Sequence, residues 1–362
     1  MIANGQFVAE LVLASAQGLA SITAQKLLER RPQVAARFGP DARTQWRDSV
    51  ISRLEYLAAA LSTGSPAILA NQFDWSRIAH EARGGTEAAA DFDEAIRLLR
   101  EVLLQELPGP NGQLAASYLD RAMTPPKGSR GHSGLTTPHR KLAAEFLLAI
   151  LDGDRRKACS LILAAAEPAA DLPGLSVQEI YLDVLIPAQR ELGRMWHLNE
   201  IGIAEEHFAT ATTQLVMSQL YQLLPFQPPN GKVVVAASVE GNAHDLGVRM
   251  LGDLLESAGW KTVYLGSSVP GADLASGVDC FHADLLALSA GLGTHLPTLA
   301  EAISQVRKIN KTVKILVGGH AFSLGCADED GVPLWKRLGA DGFAANVDSG
   351  VRESARLVEL AV

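Results

Sequence analysis

Hydrophobic positions in the first 123 residues recur every three or four places along the chain. The segments "SVISRLEYLAAALSTG" (49–64) and "TEAAADFDEAIRLLREVLLQEL" (86–107) show this spacing clearly. Such a repeat puts the apolar side chains on one face of an α-helix. The pattern therefore predicts a helical domain over residues 1–123. Residues 124–139, "TPPKGSRGHSGLTTPH", interrupt the repeat with proline, glycine and small polar residues, which indicates a linker.

The helical pattern returns over residues 140–225 and predicts a bundle of four helices. Ser176 and Glu179 have the spacing of a capping box, so one helix is expected to begin there. Pro187 lies inside that helix and should kink it, because proline has no N–H to donate. The last helix is expected to begin at about Ile203. The apolar stripe of the capped helix consists of Ile180, Val184, Ala188, Leu192 and Trp196.

Residues 230–362 change to short apolar runs that alternate with longer amphipathic segments. Five buried strands are predicted from "KVVVAAS" (232–238), "KTVYLG" (261–266), "ADLLALS" (283–289), "VKILVGG" (313–319) and "ADGFAAN" (340–346). Strands that alternate with helices indicate a doubly wound, flavodoxin-like parallel sheet, so the chain is assigned to the α and α/β classes. In such sheets the ligand crevice lies at the carboxyl ends of the strands, near the switch in strand order. His244, Ser289 and Gly318-Gly319 all follow strand ends.

Composition narrows the class of protein. The chain has 362 residues, of which 48% are hydrophobic and 20% charged, so it is long enough for two or three domains with a sizeable core. A net charge of −8 without a basic cluster argues against nucleic acid as a partner. Three widely spaced cysteines exclude a disulfide framework and a thiolate zinc site and indicate a reducing compartment. A cytoplasmic location is expected, without a membrane span or a signal peptide.

The loop "VEGNAHDLGVR" (239–249) carries the most specific signal. It has neither Rossmann nor Walker glycine spacing, so a nucleotide-binding loop is excluded. A lone loop histidine is usually without function. Here, however, Asn242-x-His244-x-x-Gly247 is followed by Ser289 and by Gly318-Gly319. Together these residues resemble the D/E-x-H-x-x-G fingerprint of the cobalamin-binding domains in methionine synthase, corrinoid methyltransferases and light-sensing cobalamin proteins. The resemblance covers roughly residues 141–362.

The resemblance implies that His244 is the lower axial ligand of cobalt and displaces the cofactor's own dimethylbenzimidazole. Imidazole is a good ligand for such a metal ion. Glycines let the backbone approach the displaced nucleotide tail closely, and Ser289 is placed to hydrogen-bond its buried base. The residues implied around the cofactor's lower side are Asn242, Asp245, Leu246, Gly247, Ser289, Gly291, Gly318 and Gly319.

Two positions depart from the fingerprint. Asn242 stands where the family usually has a carboxylate that orients the histidine. The partner of His244 is therefore neutral unless Asp245 or Glu240 takes that place. Gly291 replaces the usual leucine two positions after the serine, which is expected to widen the slot for the nucleotide tail.

A second motif lies in the predicted bundle. Trp196 is followed by nine residues and then by Glu206-His207, a spacing that resembles adenosylcobalamin photoreceptors related to light-controlled carotenoid repressors. The resemblance implies that the indole covers the adenosyl group, that Glu206 and His207 bind adenine and ribose, and that Ile203 adds an apolar contact. It also implies that His197 ligates cobalt after light removes the adenosyl group. The alternative is a core tryptophan and a solvated helix start, where an acid is favoured by the helix dipole.

The predicted helical domain does not resemble the DNA-binding domain of those repressors. Residues 1–130 contain fourteen basic and fourteen acidic residues without a recognisable DNA-binding motif. A helical domain before an adenosylcobalamin module instead resembles photocobilins, which implies biliverdin as a second chromophore. The bilin would be held without a thioether, because the first cysteine is Cys159. Its candidate contacts in "DWSRIAHEAR" are Trp75, Arg77, His80 and Arg83, for which an ordinary surface helix is the alternative.

These resemblances lead to two functional hypotheses. The first is a light-sensing signalling protein, without catalytic turnover, in which photolysis of the cobalt–carbon bond changes domain packing and the state of a homo-oligomer. The second is a corrinoid carrier, in which His244 holds methylcobalamin and a partner enzyme supplies the methyl group. The motif at Trp196 and Glu206-His207 favours the first hypothesis, because a methyl group needs no adenosine pocket.

Overall fold

The computed structural model describes residues 4–123, 137–168, 174–322 and 332–360, except the side chains of residues 75 and 82–84. Most of the predicted linker therefore lies outside the described residues, as do the side chains of Trp75 and Arg83. The chain divides into two compact units. Unit 1 contains residues 1–129, 290–304 and 320–340, and unit 2 contains residues 130–289, 305–319 and 341–362.

The amino-terminal part of unit 1 is helical, as the spacing of apolar residues predicted. Buried leucines at one helical face, Leu54, Leu57 and Leu61, contribute to its core. A buried carboxylate, Asp91, is neutralised by ion pairs with Arg31 and Arg37. The helices are α1 (Gly5–Ala14), α2 (Ala16–Arg30), α3 (Pro32–Phe38), α4 (Ala42–Thr63), α5 (Pro66–Glu106) and α6 (Gly109–Met123).

The later segments of unit 1 pack closely on these helices. They hold a short helix, α15 (Leu334–Arg337), and the amino-terminal part of α14 (Leu296–Ile309). A Cβ added to Gly293, just before α14, would come within 2.6 Å of the Ile68 side chain and 3.2 Å of the Tyr56 ring. Glycine is therefore required there by space, and residues more than 200 positions apart in sequence share one core.

In unit 2 the predicted bundle of four helices is present. It consists of α7 (Arg140–Leu151), α8 (Arg155–Ala166), an interrupted third helix, and α11 (Ile203–Leu220). The third helix comprises α9 (Val177–Ile180), a π-helical turn (Tyr181–Leu185, the π turn below) and α10 (Ile186–His197). The capping box of Ser176 and Glu179 forms as expected.

The π turn is how the third helix accommodates Pro187. Proline donates no hydrogen bond and its ring clashes with the carbonyl four residues earlier, so regular α-helical bonding cannot continue through it. In the structure the Ile186 N–H instead bonds to Tyr181 O, five residues back. The sequence therefore predicted where the helix is irregular, but it predicted a kink, and the structure has a widened π-helical turn.

The sheet of unit 2 is parallel and has the strand order β2-β1-β3-β4-β5. This order reverses direction between β1 and β3, which creates the switch point where ligands of such folds bind. The strands are β1 (Val233–Val239), β2 (Lys261–Val269), β3 (Leu285–Ser289), β4 (Lys314–Gly318) and β5 (Gly342–Ala344). The connecting and flanking helices of this part include α12 (Leu246–Ser257), α13 (Gly271–Cys280) and α16 (Val347–Leu357).

One expectation about the strands was wrong. All five were expected to be buried, but every residue of β2 is exposed or half-buried. It is an edge strand, paired only with β1 among the described strands, so part of its surface remains accessible.

Within the described residues, no single helix is long and apolar enough to cross a membrane. Helices α1 and α2 meet that test of length and composition only as a pair, and they are bent by 68° relative to each other.

Candidate functional site

His244 lies in the loop between β1 and α12, at the switch point of the sheet. Its ring is exposed, whereas Asn242, two residues earlier, is fully buried. Asn242 Oδ1 accepts a hydrogen bond from the His244 backbone N–H at 3.1 Å and lies 3.1 Å from His244 Nδ1. The buried amide therefore fixes both the backbone and the ring of the histidine.

The other end of the Asn242 amide determines its orientation. Its Nδ2 donates to Ser238 Oγ at 2.7 Å and to the backbone carbonyl of Ser289 at 3.1 Å. Because a carbonyl oxygen requires a donor, nitrogen must occupy this side and oxygen must face His244. An amide oxygen only accepts, so the hydrogen of the imidazole lies on Nδ1 and the lone pair on Nε2. The ring is prepared to bind a metal through Nε2.

Within the described part of the chain, neither Asp245 nor Glu240 replaces Asn242 as the hydrogen-bond partner of the ring. Asp245 Oδ2 instead accepts from the hydroxyl of Tyr264 at 2.6 Å. Burial and the neighbouring Asp245 carboxylate raise the pKa of Tyr264, which keeps that hydroxyl protonated and able to donate. The partner of His244 is accordingly neutral, as the residue at position 242 suggested.

Ser238, which sequence reasoning missed, is the last residue but one of β1, and it is directly paired in the sheet with Ser289, the last residue of β3. Ser289 is in turn paired with Gly318 of β4. The signal for Ser238 was present in the sequence, since two neighbouring apolar runs each finish on a serine. These residues form the floor of the crevice at the switch point, and Asn242 joins the two strands there.

Glycines at the crevice leave room for a ligand. A Cβ added to Gly247, in the first turn of α12, would meet nothing within 4 Å, whereas one at Gly318 would come 3.2 Å from Ala344 O. Gly319 has φ +105°, a conformation that favours glycine. Leu246 is half-buried at the start of α12. Gly291 is buried and belongs to unit 1, so the expected widening of the slot stays a prediction.

This donor set fits a cobalamin. A corrin ring supplies the equatorial ligands of its cobalt, so a single protein imidazole is sufficient. Within the ranges that the structure describes, no group of three or more His, Cys, Asp or Glu residues could hold a bare metal ion. One oriented histidine beside an open glycine is therefore compatible with such a cofactor.

Trp196 departs from the buried stripe to which it belongs by spacing. Ile180, Val184, Ala188 and Leu192 are at most 1% exposed, but Trp196, in the last turn of α10, is 47% exposed. The core alternative for this tryptophan is therefore wrong. Its neighbour His197 is half-buried and ends the helix.

The other residues of the second motif begin α11. Ile203 is 62% exposed, which is unusual for an isoleucine at the start of a helix. Glu205 caps the helix through the Gly202 N–H, so Glu206 is not needed for that role. The Glu206 carboxylate lies 2.7 Å from His207 Nδ1 and accepts from Thr210 at 2.9 Å. An indole, an aliphatic side chain and a carboxylate–imidazole pair are thus presented on adjacent helix ends.

The bundle is fixed to the helix that follows the His244 loop. Arg249 of α12 donates to Ser218 of α11 at 2.8 Å, and Tyr181 donates to Asp253 of α12 at 2.8 Å. Asp253 and Tyr181 lie among apolar side chains of the helix bundle and of α12, and burial raises the pKa of each. These bonds set the position of the bundle along α12.

The described candidates for bilin contacts are engaged within unit 1. His80 stacks between Trp46 and Phe92, with ring centroids 5.4 Å and 5.2 Å away. Arg77 makes two hydrogen bonds to the carboxylate of Asp93. Packing accounts for His80 and a surface ion pair accounts for Arg77, as expected for an ordinary helix at the surface of unit 1.

Comparison with known proteins agrees with the site. Residues 232–333 match a family model described as a B12 binding domain, and residues 142–221 match a second model of the same description. Dimethylamine corrinoid protein 1 of Methanosarcina acetivorans is 26% identical over 201 residues, which are 54% of this chain and 90% of the relative. A corrinoid protein of Desulfitobacterium hafniense is 26% identical over 224 residues, 60% of this chain and 97% of the relative.

Among solved structures, that of the Methanosarcina barkeri monomethylamine corrinoid protein is 19% identical, with a TM-score of 0.49. The match covers 60% of this chain and 96% of that one. Residues 142–221 and 232–333 are thus B12-binding domains, and the chain is a cobalamin-binding protein related to corrinoid proteins.

Proposed function

We propose that this chain is a corrinoid carrier for methyl transfer, loaded and unloaded by a partner methyltransferase. The observation that supports the proposal is the orientation of His244 by Asn242 at the switch point of the sheet. The relatives support the carrier rather than the light sensor, since two of them are named as corrinoid proteins, one of these for dimethylamine. This is the second hypothesis raised by the sequence.

Each residue of the site has a part in this function. The bound corrinoid supplies a cobalt ion that can carry a methyl group. His244 Nε2 would ligate the cobalt, while Asn242 keeps the ring in the required tautomer. The crevice beside Ser289 and Gly318 would take the nucleotide tail, and the open space at Gly247 would let the ring approach α12.

Titration of the full chain with methylcobalamin tests this proposal. The substitution His244→Ala should weaken binding of methylcobalamin by about tenfold or more, the usual effect of disturbing a metal ligand or its support. His282→Ala, another exposed loop histidine, is the matched control and should bind as the unchanged protein does. Equal affinity of both variants for methylcobalamin would exclude His244 as the ligand.

One observation favours a second candidate, the adenosylcobalamin light sensor. Trp196, Ile203 and Glu206 stand exposed or half-exposed at adjacent helix ends, although a methyl group needs no such surface. An indole and an isoleucine can cover the flat adenosyl group, and a carboxylate can accept from its amine and hydroxyls. Biliverdin is left out of this candidate, because His80 and Arg77 are engaged in packing and ion pairing.

The affinity ratio of adenosylcobalamin to methylcobalamin distinguishes the two candidates. A carrier should bind both forms similarly, and Trp196→Ala should leave the ratio unchanged. A light sensor should prefer the adenosyl form, lose that preference in Trp196→Ala, and change its elution volume after green light. Phe226→Ala, an aromatic of comparable exposure in another part of unit 2, is the control for the loss of an exposed ring.

A further inference from the structure

Pro187 removes the ordinary α-helical donor of one backbone carbonyl in the π turn. Pro187 cannot donate to the carbonyl four residues earlier, which belongs to Asp183. A buried or half-buried carbonyl without a partner is costly, so proteins supply one from elsewhere. In this chain the hydroxyl of Thr137 donates to Asp183 O at 2.5 Å.

Thr137 holds a particular place in the chain. It is the first described residue of the predicted linker, near the linker's carboxyl end, and its own carbonyl accepts from the N–H of Arg140, where α7 begins. The polypeptide that leads away from the amino-terminal helices is therefore attached, at its far end, to the interruption in the third helix of the bundle.

The π turn also hydrogen-bonds to α12, through a different residue. Tyr181, the first residue of the π turn, is fully buried and donates to Asp253 at 2.8 Å. Asp253 lies on the helix that begins directly after the His244 loop. Five residues, Tyr181–Leu185, thus contact the end of the linker on one side and the cofactor-binding helix on another.

The π turn also continues directly into α10, whose last turn carries Trp196. Wide turns of this kind are less regular than α-helix and are frequent at functional positions. A shift of α10 that followed a change at the upper face of the corrinoid would reach the π turn first, because the turn is the interruption in an otherwise continuous helix.

We propose that the π turn couples occupancy of the cobalamin site to the end of the linker through the bond between Thr137 and Asp183. The cofactor part of this inference rests on the proposed function, whereas the attachment of the linker does not. The linker end is held when α10 and α12 are in place, and it is released when that bond is lost. The cofactor site thereby gains a route to the chain segment that precedes the bundle.

Hydrogen–deuterium exchange of the full chain tests the coupling, with hydroxocobalamin as the ligand. In the unchanged protein, adding hydroxocobalamin should slow exchange of residues 139–145. Thr137→Val should remove that response and speed exchange there about fivefold, the effect of losing one ordinary hydrogen bond. Thr213→Val is the matched control, because it removes a threonine hydroxyl bonded to Gln189 of the same helix beyond the π turn. It should keep the response.

The visible spectrum of the same samples separates the two possible failures. If hydroxocobalamin binds but residues 139–145 respond alike in all three proteins, or in none, the coupling is wrong and the proposed function stands. If hydroxocobalamin does not bind, the proposed function fails, and the apo-protein still tests the attachment. Tyr181→Phe should then speed exchange of residues 139–145 more than Tyr264→Phe does, and equal exchange would overturn the coupling.

Discussion

Asn242 uses both ends of its amide, and the site depends on that single side chain. Its oxygen faces His244 Nδ1, and its nitrogen is held by Ser238 and Ser289 from two neighbouring strands. A carboxylate in this place could not donate to the Ser289 carbonyl. The asparagine therefore gives a neutral partner to the imidazole and, in addition, a bond that ties the histidine loop to β3.

Asn242→Ala should lower the affinity for hydroxocobalamin by about 10- to 100-fold, because the ring of His244 loses the partner that fixes its tautomer and direction. The measurement is a binding titration followed by absorbance. Asn230→Ala, which removes an asparagine in the loop before β1, serves as the control and should not alter affinity. An affinity unchanged in Asn242→Ala would mean that the amide does not support the ligand.

Gly247→Ala should separate stability from binding. A Cβ there meets nothing within 4 Å, and alanine is favoured over glycine in helices, so the free energy of unfolding should rise by up to about 1 kcal/mol. Hydroxocobalamin binding should fall, because the methyl group occupies space needed by the corrinoid. Gly18→Ala in α2, with an equally open Cβ, should stabilise without affecting binding. Tight binding by Gly247→Ala would contradict the placement of the ring.

At the scale of the element, the third helix of the bundle shows what periodicity predicts and what it does not. Its beginning and its four buried stripe positions followed from the capping box and the apolar spacing. The π turn did not follow, because Pro187 predicts an interruption without its form, and the contacts of the turn to Thr137 and Asp253 come from residues far away in sequence. The exposure of Trp196 was also outside the periodic pattern, because its spacing places it on the stripe of residues that are otherwise buried.

Asp253 should make stability depend on pH. Burial raises the pKa of its carboxyl in the folded chain, so protonation favours the folded state. Stability from this group is complete below the ordinary pKa of an aspartate and is lost as pH rises through the raised value. Asp253→Asn keeps an acceptor for Tyr181 and removes the buried charge.

Chemical denaturation at pH 4 and pH 7 checks this. Relative to the unchanged protein, Asp253→Asn should gain free energy of unfolding as the pH increases between these values. Asp279→Asn, at an exposed carboxylate of α13, is the reference for a change of charge alone. The difference in free energy of unfolding between Asp253→Asn and the unchanged protein could instead be the same at both pH values. That result would show that burial does not raise the pKa of the Asp253 carboxyl.

For the whole molecule, the order of the strands determines which strand lies at the edge of the sheet and where the switch point falls, and neither could be predicted from the sequence. Alternation of apolar runs and helices predicted the parallel sheet and placed His244 and Ser289 at strand ends. It did not reveal that β2 is an edge strand, because exposure depends on neighbours that a single strand does not encode. The order β2-β1-β3-β4-β5 places His244 and Ser289 next to the same switch point, although each was identified separately in the sequence.

The relatives changed the balance between the two functions that the sequence allowed. The motif at Trp196 and Glu206-His207 favoured a light sensor, whereas the relatives from Methanosarcina acetivorans and Desulfitobacterium hafniense are named as corrinoid proteins. Both functions require the same lower ligand. The claim that His244 ligates the cobalt can therefore be tested whichever group occupies the upper face.

Electron paramagnetic resonance of the full chain reconstituted with cob(II)alamin tests that claim most directly. Protein labelled with ¹⁵N only in histidine should show the hyperfine pattern of an axial ¹⁵N ligand, and His244→Ala should lose it while His282→Ala keeps it. A pattern from ¹⁴N in the labelled protein would mean that the cofactor's own dimethylbenzimidazole stays bound, and it would contradict the assignment of His244.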